Sequence, residues 1–274
     1  MNAHPERDTA ADELIFTTDE TGIGRIVLNR PQARNALTFA MYRGLIASCE
    51  AIAADPSVKV LIITGAGEKA FAAGTDISQF RSFSTAEDAL GYERFMDQVL
   101  GNLERLRVPT IAAIAGACTG GGAAIAAACD LRLATRDARF GFPIARTLGN
   151  CLSLGNLKRL SNLIGPARVK DMIFTARLVG AEEALTIGLV GEVLEDRTAL
   201  TARADALATL LTGHAPLTMQ ATKEGLRRLS EDEAAAGDGS RPGDDLILQC
   251  YMSDDFREGM EAFLGKRTPQ WKGR

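Results

Sequence analysis

Hydrophobic and polar positions along this 274-residue chain follow two periods that take turns. Residues 13–18 and 24–29 read as two strands of a hairpin, with turn chemistry between them at 19–22. Arg30-Pro31 closes the second strand, because proline has no N–H to donate to a ladder. Thr38 is placed to cap a helix that runs to about residue 54, where Met41, Leu45, Ile46, Cys49 and Ile52 keep helical spacing. The run VKVLIIT at 58–64 is apolar without alternation, the mark of a strand buried on both faces. A loop at 65–69 leads into FAAGTD at 71–76, which is small, apolar and interrupted by glycine. A long helix is predicted over 85–106.

The chain is organised around IAAIAGACTGGGAAIAAACD at 111–130. Its first five residues read as a buried strand that ends in Gly116. After a short connector come Gly120, Gly121 and Gly122, and then a small, apolar, helix-forming run over 123–129. Downstream the pattern predicts a strand at 130–134, a break at Phe140-Gly141-Phe142-Pro143 and a mixed segment at 152–163. Helices follow at 166–175 and 181–187, a strand at 189–194, and helices at 198–211 and 216–229. The stretch AAAGDGSRPGDD at 234–245 reads as a mobile loop. A last helical part covers 246–264 and ends in a basic tail with Trp271.

Strands alternate with helices over the first two thirds and helices fill the rest. That pattern predicts an α/β core with right-handed crossovers and a helical C-terminal region. The expected division is a disordered polar tail at 1–12, an α/β core at 13–200 and the helical region at 201–274.

Composition narrows the chemistry chiefly by exclusion. A net charge of −4, with no basic stripe carrying interleaved aromatics, gives no reason to expect nucleic acid. No apolar run approaches the ~20 residues that span a bilayer, and the charged start MNAHPERDTAADE is not patterned as a signal peptide, so no membrane partner is expected. The five cysteines, Cys49, Cys118, Cys129, Cys151 and Cys250, are scattered and form no CxxC pair. They suit free thiols in a reducing cytoplasm better than a disulfide framework or a zinc site. With only His4 and His214 available, a Ser-His-Asp machine has little to work with. Neither a metal nor a separate cofactor is implied.

Two glycine-containing loops each follow a buried strand: Ala72-Ala73-Gly74-Thr75, and Gly120-Gly121-Gly122. If the strands are parallel neighbours, both loops open at one sheet edge, where α/β proteins bind ligands. Backbone N–H groups from the two loops then converge on one oxygen. A helix start adds unpartnered N–H groups and the positive end of its dipole. Such a receptor suits a developing enolate or tetrahedral oxyanion. A close-packed helix start in a core would carry the same glycines. Nucleotide readings fit badly, since the stretch has neither the GK[ST] ending of a P-loop nor GxGxxG.

Several motifs in order give the chain a resemblance over nearly its whole length to the crotonase superfamily, also called the enoyl-CoA hydratase/isomerase family. They are IVLNRPQARNALT (26–38), KAFAAGTDI (69–77), the triple-glycine stretch, RFGFP (139–143), TARLVGAEEALTIGLVGEV (175–193) and DFREGMEAFLGKRTPQW (255–271). The resemblance implies a crotonase-like spiral of ββα units, an acyl-CoA thioester as substrate, and a homotrimer or a dimer of trimers. Coenzyme A would come as part of the substrate. The thioester oxygen would be held by the N–H groups of Ala73 and Gly121, in a pocket with Gly74, Thr75, Asp76, Ile77, Thr119, Gly120 and Pro143 around it. Gln32, Ala33, Arg34 and Ala36 would line the CoA path, and Phe263 and Lys266 would reach the CoA of the same or an adjacent subunit.

Two positions depart from what the resemblance implies. Hydratases of this family use two glutamates, and Ala124 and Ile144 stand at those places here. A general acid or base contributes roughly 10²–10⁴ in rate, so hydration of an enoyl-CoA is expected to be very slow. Polar candidates near the pocket are Arg146, Thr147, Asn150, Cys151 and Ser153, each with a structural alternative such as a turn residue or a helix cap. An oxyanion hole without an evident base favours reactions in which a leaving group creates the enolate, such as decarboxylation or retro-Claisen cleavage, with Arg146 to orient a carboxylate. Two other readings stay open. One is a catalytically silent acyl-CoA-binding or scaffold protein. The other is a hydratase or isomerase with a relocated acid/base, for which Glu93 and Asp97 are candidates.

Overall fold

The chain winds as a spiral in which successive turns give one strand to a large sheet and the next to a small one. The computed structural model describes residues 13–231 and 244–274. Strands β1 (Leu14–Thr18) and β2 (Ile23–Leu28) form the expected antiparallel hairpin, and α1 (Phe39–Ala54) follows. Three turns then repeat the scheme: β3 (Val60–Gly65), β4 (Ala70–Ala72) and α2 (Ala86–Glu104); β5 (Thr110–Ile114), β6 (Ala117–Thr119) and α3 (Gly121–Ala128); β7 (Leu131–Thr135), β8 (Arg139–Gly141), α4 (Leu154–Ile164) and α5 (Pro166–Thr175). The rest is β9 (Val179–Gly180), α6 (Ala181–Thr186), β10 (Glu192–Leu194), α7 (Arg197–Thr212), α8 (Pro216–Glu231), α9 (Asp244–Tyr251) and α10 (Asp254–Leu264). The large sheet runs β1-β2-β3-β5-β7-β10 and the small one β4-β6-β8-β9. Apart from the antiparallel pairs at β1 and β9, every pairing is parallel.

Local chemistry sets the element ends. The Thr38 hydroxyl accepts from the Met41 N–H at 3.2 Å and starts α1. Thr85 and Asp88 satisfy each other's backbone N–H in a capping box at the head of α2. The main core lies between the two sheets and α1, α2 and α3, where Ile26, Leu61, Ile63, Phe71, Val99 and Leu100 lose all solvent contact. On the far face of the large sheet, Leu200, Ala204 and Ala208 of α7 pack on Ile23, Val60, Ile111 and Leu133. The helix crossing residue 200 is therefore part of the core's packing.

Four small-sheet strands are absent from the sequence reading. β4, β6 and β8 are three residues long and β9 is two, too short for a period to register. The glycine loops therefore follow β4 and β6 rather than the long apolar strands β3 and β5. The last helical part is also two helices. Ser253 caps α10 by accepting from the Phe256 N–H at 2.9 Å, which ends α9 at Tyr251. The buried Asp255 then ties back the tail by accepting from the N–H groups of Lys272 and Gly273. The expected tail at 1–12 and most of the expected loop at 234–245 lie outside the described residues. No helix among the described residues is long and apolar enough to cross a membrane.

Asn35, fully buried and at φ +55°, holds the turn after β2 to the loop after β3. Its amide donates to the carbonyls of Ala66 (2.9 Å) and Ala70 (2.8 Å), and its oxygen accepts from the Arg30 N–H at 2.9 Å. Asn35→Ala leaves those groups unpaired and puts alanine in the left-handed region. Chemical denaturation should show a loss of about 2–4 kcal/mol in unfolding free energy.

Candidate active site

The small sheet aims three connections at one edge. β4 pairs with β6 in parallel, Ala72 opposite Cys118, and β6 pairs with β8, Thr119 opposite Gly141. The segments leaving Ala72, Thr119 and Gly141 therefore exit side by side, at the carboxyl ends of parallel strands. The first two touch through their glycines. A Cβ on Gly120 would lie 3.3 Å from the Gly74 Cα, and Gly120 itself sits at φ +52°, where a side chain is strained. A Cβ on Gly121 would fall 2.1 Å from the Tyr42 hydroxyl, and one on Gly122 would fall 2.4 Å from the Ala72 carbonyl. Each glycine of the triplet thus answers a different neighbour.

Backbone accounting shows which N–H groups are left without a partner. Ala73 donates to the Arg34 carbonyl at 3.0 Å, and Gly120 donates to the Gly141 carbonyl at 3.0 Å. The expected donor Ala73 is thereby corrected, because its N–H holds the loop to residues 34–37. Neither the Thr75 nor the Gly121 N–H has an acceptor among the described residues. Gly121 is the first residue of α3, so the helix offers it none. Both residues line the same cavity. The loop carrying Thr75 is fixed on its other side: Leu37 donates to Gly74 and Asp76 donates to Leu37, both at 2.8 Å.

Two tyrosines hold the Thr75 side chain, Tyr42 from the core and Tyr92 from the cavity wall. The Tyr42 hydroxyl lies 2.8 Å from the Thr75 Oγ1, which lies 3.1 Å from the Tyr92 hydroxyl. Burial raises the pKa of both phenols, so they act as neutral hydrogen-bonding groups. Asp76 belongs to the same scaffold. Its carboxylate accepts from the Ser78 N–H (3.1 Å) and hydroxyl (2.7 Å) and from the Arg30 guanidinium (3.1 Å). Those bonds, the Ser78 hydroxyl foremost, hold its pKa below the usual carboxylate value, and it does not line the cavity.

The cavity holds about 210 Å³. Two larger ones, about 250 and 300 Å³, touch neither glycine loop. Its apolar wall includes Ile77, Phe80, Met96 and Phe142, with Ala124 and Ile144 at 4% and 8% exposure beside Gly121 and Pro143. Its polar wall carries Glu93, Thr147, Asn150, Cys151 and Asn156, and Gly74, Thr119 and Gly120 complete the rim. Arg146 and Ser153 do not line it. Ser153 is the cap of α4, and its hydroxyl donates to Asp97 at 2.9 Å. Gln32, Ala33, Arg34 and Ala36 stand outside the lining on the segment clamped to the Gly74 loop. Phe263 and Lys266 are exposed at the C-terminal end of α10 and beyond, also outside it. The sequence reading missed the unpaired Thr75 N–H, the Tyr42 and Tyr92 hydroxyls bonded to its side chain, and Asn156 as a wall residue. A hydroxyl chain joining three separate segments leaves no local signal.

The sequence model described as enoyl-CoA hydratase/isomerase matches residues 18–274, and the chain belongs to that family. It is 36% identical over 256 residues to a short-chain-enoyl-CoA hydratase of Clostridium acetobutylicum, covering 92% of this chain and 95% of that one. Identity to the 2,3-dehydroadipyl-CoA hydratase of Escherichia coli is also 36%, over 249 residues, covering 91% and 94%. A crystal structure of an enoyl-CoA hydratase/carnithine racemase from Magnetospirillum magneticum superposes with a TM-score of 0.88 at 34% identity, covering 96% of each chain. The α/β spiral with two mixed sheets and C-terminal helices is the crotonase fold.

Placing a methyl at Gly121 sets it against the Tyr42 hydroxyl, and removing that hydroxyl relieves the collision. Gly121→Ala should therefore destabilise the protein in thermal unfolding. Adding Tyr42→Phe should cost less than the two single effects combined, by roughly 0.5–3 kcal/mol of coupling.

Proposed function

We propose that this family enzyme binds an acyl-CoA thioester, with its carbonyl oxygen between the N–H groups of Thr75 and Gly121, and stabilises the enolate that forms there. The observation that carries this reading is the pair of unpartnered backbone donors converging on one cavity. Donors fixed before the reaction need no reorganisation as charge develops, and losing one such donor typically costs on the order of 10²–10³ in rate. The relatives, hydratases of enoyl-CoA and 2,3-dehydroadipyl-CoA thioesters by name, support the substrate class.

Hydration is not the reaction this reading favours. Ala124 and Ile144 are taken to stand where hydratases hold their two glutamates, and neither side chain can move a proton. The enolate instead arises by departure of a group from the α-carbon, as in decarboxylation or retro-Claisen cleavage. Arg146 drops out of this scheme because it does not face the cavity, which leaves Thr147, Asn150 and Asn156 as the polar contacts for the departing group. Glu93 and these amide and hydroxyl groups favour a catalyst over a silent thioester binder, whose pocket would be apolar throughout. The same reading assembles the chain as a homotrimer or a dimer of trimers; exposed Met260, Phe263 and Leu264 on α10 support an assembled state.

The purified protein should bind butyryl-CoA in calorimetry and hydrate crotonyl-CoA more than about 10³-fold slower than the relatives named as hydratases. Hydration at their rate would overturn the reaction assignment, and absence of binding would overturn the thioester.

A further inference from the structure

Glu93 is the one carboxylate on the cavity wall among the described residues. It belongs to α2, immediately after Tyr92, whose hydroxyl bonds the side chain of the donor residue Thr75. Met96, Ile144 and Leu152 line the same cavity, and no Lys, Arg or His lines it to hold a carboxylate in its charged form. Ion pairs elsewhere show the contrast: Glu104, three turns along the same helix, is gripped by both ends of the Arg159 guanidinium at 2.6 and 2.7 Å. Glu93 has no cationic partner of that kind among the described residues.

We propose that Glu93 is the proton-transfer residue of this site, protonating the enolate at its α-carbon. The proposal rests on the thioester reading above. For a thioester bearing a carboxylate on the α-carbon, the bond between the two breaks and CO₂ leaves. The electron pair stays as an enolate whose oxygen accepts from Thr75 and Gly121. The enolate then collapses by taking the Glu93 proton onto the α-carbon, and the Glu93 carboxylate regains a proton from water. No further reactant is needed.

The surroundings suit an acid. Burial pushes the Glu93 pKa up and the nearby Asp97 carboxylate adds to this, while the Ser153 backbone N–H pulls the other way. The titratable groups around it are Tyr92 and Asp97 on its own helix and Cys151 on the facing loop. Asp97 accepts from the Ser153 hydroxyl. A raised pKa keeps the proton on Glu93 to higher pH, so more of the enzyme is in the donating form near neutrality.

The same group must work in reverse on a saturated thioester, its carboxylate removing an α-proton and returning one from solvent. Butyryl-CoA in D₂O therefore reads the proposal directly. The wild type should incorporate deuterium at the α-carbon, at a rate that rises with pH through the Glu93 pKa. Glu93→Gln should lower that rate by roughly 10²–10⁴-fold with butyryl-CoA still bound. Asp97→Asn removes the adjacent negative charge and should move the midpoint of the pH profile to lower pH, which a purely structural role would not do. Exchange unchanged in Glu93→Gln, or bound butyryl-CoA that does not exchange in the wild type, overturns Glu93. Failure to bind butyryl-CoA overturns the thioester reading itself, and with it this role.

Discussion

Everything at this site depends on two backbones meeting where side chains would ordinarily keep them apart. β4 and β6 lie side by side for only three residues each, and the loops that leave them touch through Gly74 and Gly120. That contact brings the Thr75 and Gly121 N–H groups to one cavity and leaves both without an acceptor among the described residues. Both residues are half-buried at the cavity wall. The fold holds them by fastening the neighbouring N–H groups: Ala73 to Arg34, Gly120 to Gly141 and Asp76 to Leu37. The tyrosine–threonine–tyrosine hydroxyl chain fixes the Thr75 side chain.

The cavity in front of these donors is lined by Ala124 and Ile144 beside Gly121 and Pro143. Ala124 and Ile144 make that region apolar, which strengthens the electrostatic effect of the two N–H groups on a developing negative charge. Under the proposed reading, proton handling falls to Glu93, the carboxylate that α2 contributes to the cavity wall. The candidates Arg146 and Ser153 serve other ends: one is exposed outside the cavity, and the other caps α4 and bonds Asp97.

The long elements were legible in the sequence because burial imposes a period on them. VKVLIIT became β3, and the spacing from Met41 to Ile52 became the inner face of α1. The small sheet was illegible because two- and three-residue strands carry no period. Gly116 was readable as an end but not as the point where the chain crosses between sheets. The triple glycine was readable as a place where backbones approach closely, yet which nearby N–H groups stay unpaired required knowing that the Arg34 carbonyl lies 3.0 Å from the Ala73 nitrogen. The split between α9 and α10 was hidden because Ser253 and the acidic residues after it sit within a continuous run of helix formers.

On the proposed reading, the Thr75 and Gly121 N–H groups receive the oxygen of an acyl-CoA thioester. A crystal structure with a bound oxyester or amide analogue of an acyl-CoA, which keeps the carbonyl, tests this placement most directly. The account predicts the carbonyl oxygen at about 3 Å from both nitrogens, with the acyl carbons against Ala124, Ile144 and Glu93. An analogue bound with that oxygen away from either nitrogen would contradict it.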